Sequence, residues 1–446
     1  MLTAKDLRDF QKILRQSDHP LNVGDAFHVP NLHGDKQYDM IERLFREIES
    51  CDGSGLYYFT GQRGTGKSTE LRRLETRLDG EGYRCIRFDA LHYLNDTQPI
   101  DVHLLMLMVA AGVDDWLTEN YPEKDASAEN LLSRFQDWLK TKVELEKVDV
   151  SLGAGPGLPN ARLQFNLKPQ QENLSSKIRG MSDRREFHAS IIAFIAEMCQ
   201  WLQQREQRRV VIVVDSLENL RGNPLAEQDQ ERIFSSVLDV FADHLALIRV
   251  PDVHMVYSVP PYLCFLSNIT PQVSWTPLAS VRVCEKPEIA RRKPRESGLA
   301  VMRDLLERRL PRWREVLSQE ALDRLSLLSG GDLRQFIIRI LTDVFYQSQF
   351  ALERLPLAKD DSIINDVAAA CSREMERLTV RSEWPLLKTI ANENNIVAEN
   401  RSQIKVLAHL LDTKVILNYR NGDEWYDLHP TLWATLDAYT SPAQTN

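Results

Sequence analysis

The chain has few cysteines, and none of them form a recognisable pair. Cys51, Cys85, Cys199, Cys264, Cys284 and Cys371 are far apart, and no two have C-x-x-C spacing. Neither a disulfide framework nor a thiolate zinc site is indicated. Thiols in apolar strands are instead expected to act as small buried hydrophobes. The ten histidines are scattered, without an H-x₃-H pair, so histidine-based metal sites are not expected either. Long apolar runs are also missing. Stretches such as Val210–Val214 fall far short of the roughly 20 residues that a bilayer core requires, so no membrane association is expected. The first residues, Met1 to Phe10, mix acids and bases and lack the apolar stretch of a signal peptide; a cytoplasmic protein is expected. Finally, there is no excess of positive charge. Lys and Arg total 55 against 64 Asp and Glu, a net charge of −9. Phosphate neutralisation dominates affinity for DNA, so this balance weighs against DNA as the main partner and leaves only a local basic face to serve it. No internal repeat and no low-complexity tract is visible.

The remaining composition is that of a soluble globular protein, with 43% hydrophobic and 27% charged residues. At 446 residues the chain is too long for one hydrophobic core and long enough for two or three domains. Residues 3–16 read as a polar helix. A second helix is expected over 39–50, where Ile41, Leu44, Phe45 and Ile48 recur at helical spacing. Strands are expected at Leu56–Thr60, Tyr83–Phe88, Arg208–Val214 and Val253–Val259, with a weaker one at Val281–Cys284. Helices are expected between them, at 68–78, 99–119, 130–145, 184–205 and 228–244. Strands alternating with helices indicate an α/β fold with a doubly wound parallel sheet. Near 148–168 the pattern changes to apolar–polar alternation around Gly153–Asn160, a turn-rich segment. An inserted β-hairpin is expected there. Residues 297–377 read as all helix, and Val415–Leu428 as a hairpin turning at Asn421-Gly422.

One segment carries chemistry plainly. Gly61-Gln62-Arg63-Gly64-Thr65-Gly66-Lys67-Ser68 matches G-x-x-x-x-G-K-[ST], with a strand before it and a helix after it. The glycines allow the backbone to curl so that its N–H groups face phosphate oxygens, and the helix start adds its dipole. Lys67 is expected on the terminal phosphates and the Ser68 hydroxyl on Mg²⁺, with Thr69 completing the nucleotide-binding segment. ATP and Mg²⁺ are the expected cofactors. A second acidic motif follows: the apolar run Val210–Val214 ends in Asp215, placed to reach Mg²⁺ through water. The adjacent residue is Ser216, and the next acid is Glu218. Glu218 is the candidate for polarising the attacking water; the alternative is a solvated acid opening a helix.

The order of P-loop, acidic strand, further strand and helical lid resembles the AAA+/STAND ATPases, over roughly residues 35–345. Asp215-Ser-Leu-Glu218 resembles the STAND spacing of aspartate, small residue, apolar residue and acid. Ser329-Gly-Gly-Asp-Leu-Arg334-Gln-Phe336 resembles the second-sensor motif of the origin-recognition initiator branch, which implies that Arg334 touches the terminal phosphate. Ser258 matches the position of a first-sensor polar residue, and simple packing is the alternative. The sequence departs from ring-forming AAA+ ATPases in one respect. Residues 260–280 contain no Arg or Lys, so the usual place for an arginine finger is empty of candidates.

The resemblance implies an arm at 1–38, an ATPase core at 39–285 with the insertion at 148–168, a helical lid at 286–360, and a winged-helix-like domain at 361–446. In that last domain the hairpin tip Arg420-Asn-Gly-Asp-Glu424 carries two acids, unlike a DNA-reading wing. The expected function is an ATP-binding, slowly hydrolysing ATPase that switches assembly with itself or with a separate effector protein, in signalling or defence. A DNA-associated ATPase of initiator or transposition-regulator type is the alternative, and a protein using ATP as a structural ligand is a third. The insertion, which an ATPase core does not need, is expected to dock a partner or neighbouring subunit.

Overall fold

The computed structural model describes residues 2–16, 19–34, 36–121, 126–143, 150–151, 162–163, 171–221, 227–266, 272–287, 292–398 and 400–440. The chain divides into two compact units. One is Leu44–Thr60 with Leu74–Thr276; the other is Met1–Arg43, Gly61–Arg73 and Pro277–Asn446.

The first unit is built on strands β1 (Leu56–Gly61), β2 (Tyr83–Asp89), β3 (Val150–Ser151), β4 (Arg162–Leu163), β5 (Arg209–Asp215), β6 (His254–Val259) and β7 (Ser274–Leu278). Five of them form one sheet in the order β2-β5-β6-β1-β7. The pairs β2·β5, β5·β6 and β6·β1 are all parallel, so these four strands end at one edge of the sheet. The α/β class and the parallel sheet are those expected from the sequence. β5 explains why it reads as an unbroken apolar run. Val210 to Val214 are each 0% exposed, as required when helices cover both faces of a parallel sheet. The helix Val102–Asn120 is apolar nearly all round and correspondingly buried. Asp101 caps its start by accepting from the His103 and Leu104 N–H groups. Gly112 lets this helix close onto β2: a Cβ there would stand 2.7 Å from the Phe88 ring.

One strand expectation was misplaced. The edge strand beside β1 is Ser274-Trp-Thr-Pro-Leu278, not Val281–Cys284. Pro277 cannot donate to a ladder, which disguises the segment, but an edge position tolerates it. Residues 281–284 turn instead: Val283 N–H donates to Val281 O at 2.9 Å, and Val281 N–H donates to Gly331 O at 3.1 Å. At the insertion, Val150 and Ser151 pair antiparallel with Leu163 and Arg162, and the rest of the expected hairpin lies outside the described residues. The helix Gln171–Gly180 was not foreseen.

The other unit is mainly helical. Ala4–Gln16, Glu296–Arg309, Gln319–Leu328, a π-helical stretch Gln335–Leu341 continuing into Thr342–Ser348, and Ser362–Glu376 share a core that includes Leu7, Leu14, Leu306, Trp313, Phe336 and Phe345. Buried Gln11 ties the first helix in, donating to Thr342 O at 2.8 Å. After the helices Trp384–Glu393 and Arg401–Asp412 come β8 (Ile416–Asn421) and β9 (Asp423–Leu428), and then the helix Trp433–Thr440. β8 and β9 pair antiparallel from Ile416·Leu428 to Asn421·Asp423. Gly422 turns the hairpin at φ +91°, where the sequence placed the turn. Tyr419 and Trp425 stack with ring centroids 4.4 Å apart, and the Tyr419 hydroxyl donates to Gly330 O at 2.9 Å.

Gly331 is at φ +78°, and a Cβ there would stand 1.8 Å from Val281 O. Gly331→Ala therefore faces both a left-handed backbone and a backbone clash with no flexible neighbour to yield. Denaturant unfolding should show a loss of roughly 3 kcal/mol; a loss below about 1 kcal/mol would mean that this close approach is not real.

Candidate functional site

The loop between β1 and the helix Lys67–Asp79 has the backbone of a phosphate cradle. Gly64 is at φ +85° and Gly66 at φ +93°, conformations that side-chain-bearing residues rarely adopt. These left-handed positions let the loop curl tightly, with the Thr65 N–H donating to Gln62 O at 3.3 Å inside it. The helix that follows adds its dipole at Lys67, Ser68 and Thr69. Glycine is also required for space. A Cβ on Gly61 would lie 2.5 Å from Leu278 O, and one on Gly64 would lie 2.7 Å from the Arg334 Cβ.

The side chains of the loop have distinct surroundings. Lys67 is 4% exposed, and its ammonium donates to the carbonyls of Gly61 and Gln62, each at 2.9 Å. The Thr65 hydroxyl closes the loop by donating to Gln62 O at 2.8 Å. Arg63 is exposed. Ser68 is half-buried at the helix start, and the Thr69 hydroxyl accepts from Leu21 N–H at 3.0 Å. Gln62 is buried, and its side chain faces the C-terminal elements. The amide nitrogen donates to Leu411 O at 2.9 Å and Ile416 O at 2.6 Å, and the amide oxygen accepts from Asn418 N–H at 3.3 Å.

Arg334, chosen from its motif alone, lies against this loop. Its Cβ and Cδ fall 2.7 and 3.5 Å from the Cβ position of Gly64. The preceding turn places it there. Ser329 Oγ accepts from Gly331 N–H at 3.1 Å, and Asp332 Oδ1 caps the next helical stretch by accepting from Gln335 N–H at 2.8 Å. Two residues near the loop had no signal in the sequence. The Lys414 ammonium is 3.3 Å from the Gly64 Cβ position, and His33 Nε2 is 3.8 Å from that of Gly66. His33 Nδ1–H donates to Ala279 O at 2.9 Å, and burial pushes the His33 pKa down to about 4, so the ring is neutral at pH 7. A lone histidine or lysine in a polar segment gives no pattern to read.

The acidic motif lies in the sheet unit, where β5 ends in Asp215. Asp215 is 3% exposed, and its Oδ1 accepts from Ser216 N–H at 2.8 Å. Ser216 takes φ +72°, an uncommon left-handed backbone that starts a short 3₁₀ turn, Leu217–Asn219. That turn folds Glu218 inward. Glu218 is 6% exposed and accepts a 2.6 Å hydrogen bond from the Ser258 hydroxyl on β6. Glu218 is thus buried against β6 rather than solvated, with the Ser258 hydroxyl as a hydrogen-bond donor to it. Among the described residues no cluster of three or more His, Cys, Asp or Glu side chains could hold a metal ion. The Ser68 hydroxyl at the helix start suits a P-loop Mg²⁺, whose shell is completed largely by water and phosphate. The glycine cradle that any Cβ would fill, together with the buried Lys67, fits a nucleotide phosphate.

No family model and no curated protein matches this chain. Solved structures are similar at low identity. The Walker-type ATPase of Pyrococcus abyssi is 12% identical, with 92% of this chain and 99% of that one covered and a TM-score of 0.40. The ORC2 protein of Aeropyrum pernix, in ADPNP–ADP complexes, is 10% identical, with 93% and 97% covered and a TM-score of 0.36. CDC6P of Pyrobaculum aerophilum is 13% identical, with 96% of both chains covered and a TM-score of 0.34. Likeness of this degree assigns no chemistry, which rests on the chain's own residues.

The C-terminal side of the loop carries a pH dependence. His429 is 0% exposed; its Nε2 faces Gln335 Oε1 at 2.7 Å and its Nδ1 faces Thr431 Oγ1 at 2.8 Å. Burial lowers its pKa to about 4 from the ordinary 6.5. The unfolded chain therefore takes up a proton as pH falls through 6.5, while the folded chain does not until about 4. Stability is fully present above pH 6.5 and falls between 6.5 and 4, by about 2–3 kcal/mol at pH 4 from this residue. Denaturant midpoints at pH 7, 5.5 and 4.5 should show the decline. His429→Gln should remove this residue's share of the decline, leaving that of His33, while lowering the pH 7 stability; an unchanged slope would assign the effect elsewhere.

Proposed function

We propose that the chain binds ATP with Mg²⁺ through Gly61–Thr69 and turns it over slowly, acting as a nucleotide-controlled switch. The observation that carries this reading is the meeting of Arg334 with the P-loop at Gly64, since a sequence motif from a distant helical segment is brought to the phosphate-binding backbone. In this reading Lys67 and the loop N–H groups hold the phosphates, and Arg334 reads the terminal one. Ser68 and Asp215 hold Mg²⁺, which neutralises charge on the phosphate oxygens when bound. Glu218 orients and deprotonates the attacking water, and the Ser258 hydroxyl fixes its carboxylate.

The switch is favoured over a DNA-associated ATPase by the tip of the β8–β9 hairpin. Asp423 there pairs with Lys286 at 2.8 Å, and Glu424 follows it; acids at that tip oppose phosphate. The output of the switch is assembly with further copies of this chain or with a separate effector protein.

The test is ATP turnover and ATP binding by the purified chain, with and without double-stranded DNA. Lys67→Ala should abolish nucleotide binding, and turnover should be indifferent to DNA. Stimulation by DNA would instead establish the DNA-associated reading. Glu218→Gln should lower kcat by roughly 100-fold with KM little changed, and Ser258→Ala should alter kcat by less. A Glu218→Gln variant with unchanged turnover would remove Glu218 from the mechanism.

A further inference from the structure

The turn between the helix Arg401–Asp412 and β8 is held by the P-loop itself. Gln62 donates to Leu411 O on one side of the turn and Ile416 O on the other, and accepts from Asn418 N–H. A residue inside the phosphate-binding loop thus clasps both flanks of a three-residue connection whose central member is Lys414. That connection is shaped to present Lys414. Its backbone is left-handed at φ +62°, and its N–H closes the helix end by donating to Leu411 O at 3.2 Å. The side chain is 17% exposed and pairs with the fully buried Asp332, and its ammonium stands 3.3 Å from the Gly64 Cβ position. The Arg334 side chain approaches the same point, with its Cβ at 2.7 Å and its Cδ at 3.5 Å.

We propose that Lys414 is a phosphate ligand supplied by the C-terminal elements, distinguishing a nucleoside triphosphate from a diphosphate; this deepens the ATP-binding reading and rests on it. An ammonium has three donors, and Asp332 accepts one. Asp332 is already engaged by Gln335 N–H at 2.8 Å, so its pairing with Lys414 orients the lysine without exhausting it. The neighbouring titratable groups do not compete for an anion: burial keeps His33 and His429 neutral at pH 7. A surface ion pair would give no reason for the clasp around Lys414. Gln62 supplies one, because it fixes the lysine relative to the loop that binds phosphate.

Lys414→Gln alone leaves Asp332 buried and unpaired, so the informative variant of the full chain is the double substitution Lys414→Gln with Asp332→Asn. Calorimetric titration with ADP and with a non-hydrolysable ATP analogue, in Mg²⁺, reads the two Kd values, and thermal melting without nucleotide checks the fold. The double variant should lose roughly tenfold in affinity for the triphosphate analogue and much less for ADP, and Lys414→Arg should recover part of the loss. An unchanged triphosphate-to-diphosphate ratio in a folded double variant overturns the proposal. Wild-type protein can be tested without any variant, by acetylating lysines and quantifying Lys414 by mass spectrometry. The triphosphate analogue should protect Lys414 more than ADP does; equal protection overturns the proposal. If the wild-type chain binds neither nucleotide, the ATP reading itself fails. Binding that depends on Lys67 but not on Lys414 refutes only this inference.

Discussion

The side-chain amide of Gln62 is the interaction on which the helical unit's arrangement turns. It spans the P-loop and the end of the chain, accepting one backbone N–H and donating to two backbone carbonyls. All of these groups are buried, where an unmade hydrogen bond costs about 1–3 kcal/mol. The P-loop conformation and the position of β8 are therefore not independent. Tyr419 on β8 in turn bonds Gly330, the turn at Gly330-Gly331 sets Arg334, and Arg334 packs on Gly64. The contacts close a circuit from the loop, through the hairpin and the Gly330-Gly331 turn, back to the loop.

Such a circuit suits a switch. A phosphate held at Gly64 would act on Arg334 and on the Lys414 turn together, and both are joined to elements far from the loop in sequence. β5 delivers Asp215 at the carboxyl edge of the parallel strands, and the strained Ser216 backbone turns Glu218 back onto Ser258. Backbone strain of this kind, at about 1–3 kcal/mol, persists where the surroundings require a particular placement.

What could be read in advance follows from the range of each signal. The P-loop, β5 and the hairpin turn at Gly422 are local patterns, complete within about ten residues, and each is found where expected. The motif Ser329-Gly-Gly-Asp332 marks the turn that sets Arg334 beside Gly64. Pro277 hides β7 as an edge strand, and apolar alternation at Val281–Cys284 does not reveal a turn closed by Val281 O. The sequence allows two environments for Glu218, since only the packing of β6 decides whether the acid faces water or Ser258. The tie between Gln62 and the turn at Lys414 cannot be read from sequence. Gln62 lies 349 and 354 residues from its two carbonyl acceptors, and no residue type near either end announces the pairing.

The central claim is that phosphate binding at the loop is felt by the C-terminal elements. Hydrogen–deuterium exchange of the full chain, with the ATP analogue against ADP, tests it most directly. The account predicts that the triphosphate changes protection at residues 329–336 and 411–418 as well as at 61–69, and that Lys67→Ala removes all three changes. A response confined to 61–69 would show a phosphate loop with no mechanical link to the rest of its unit, and would contradict the account.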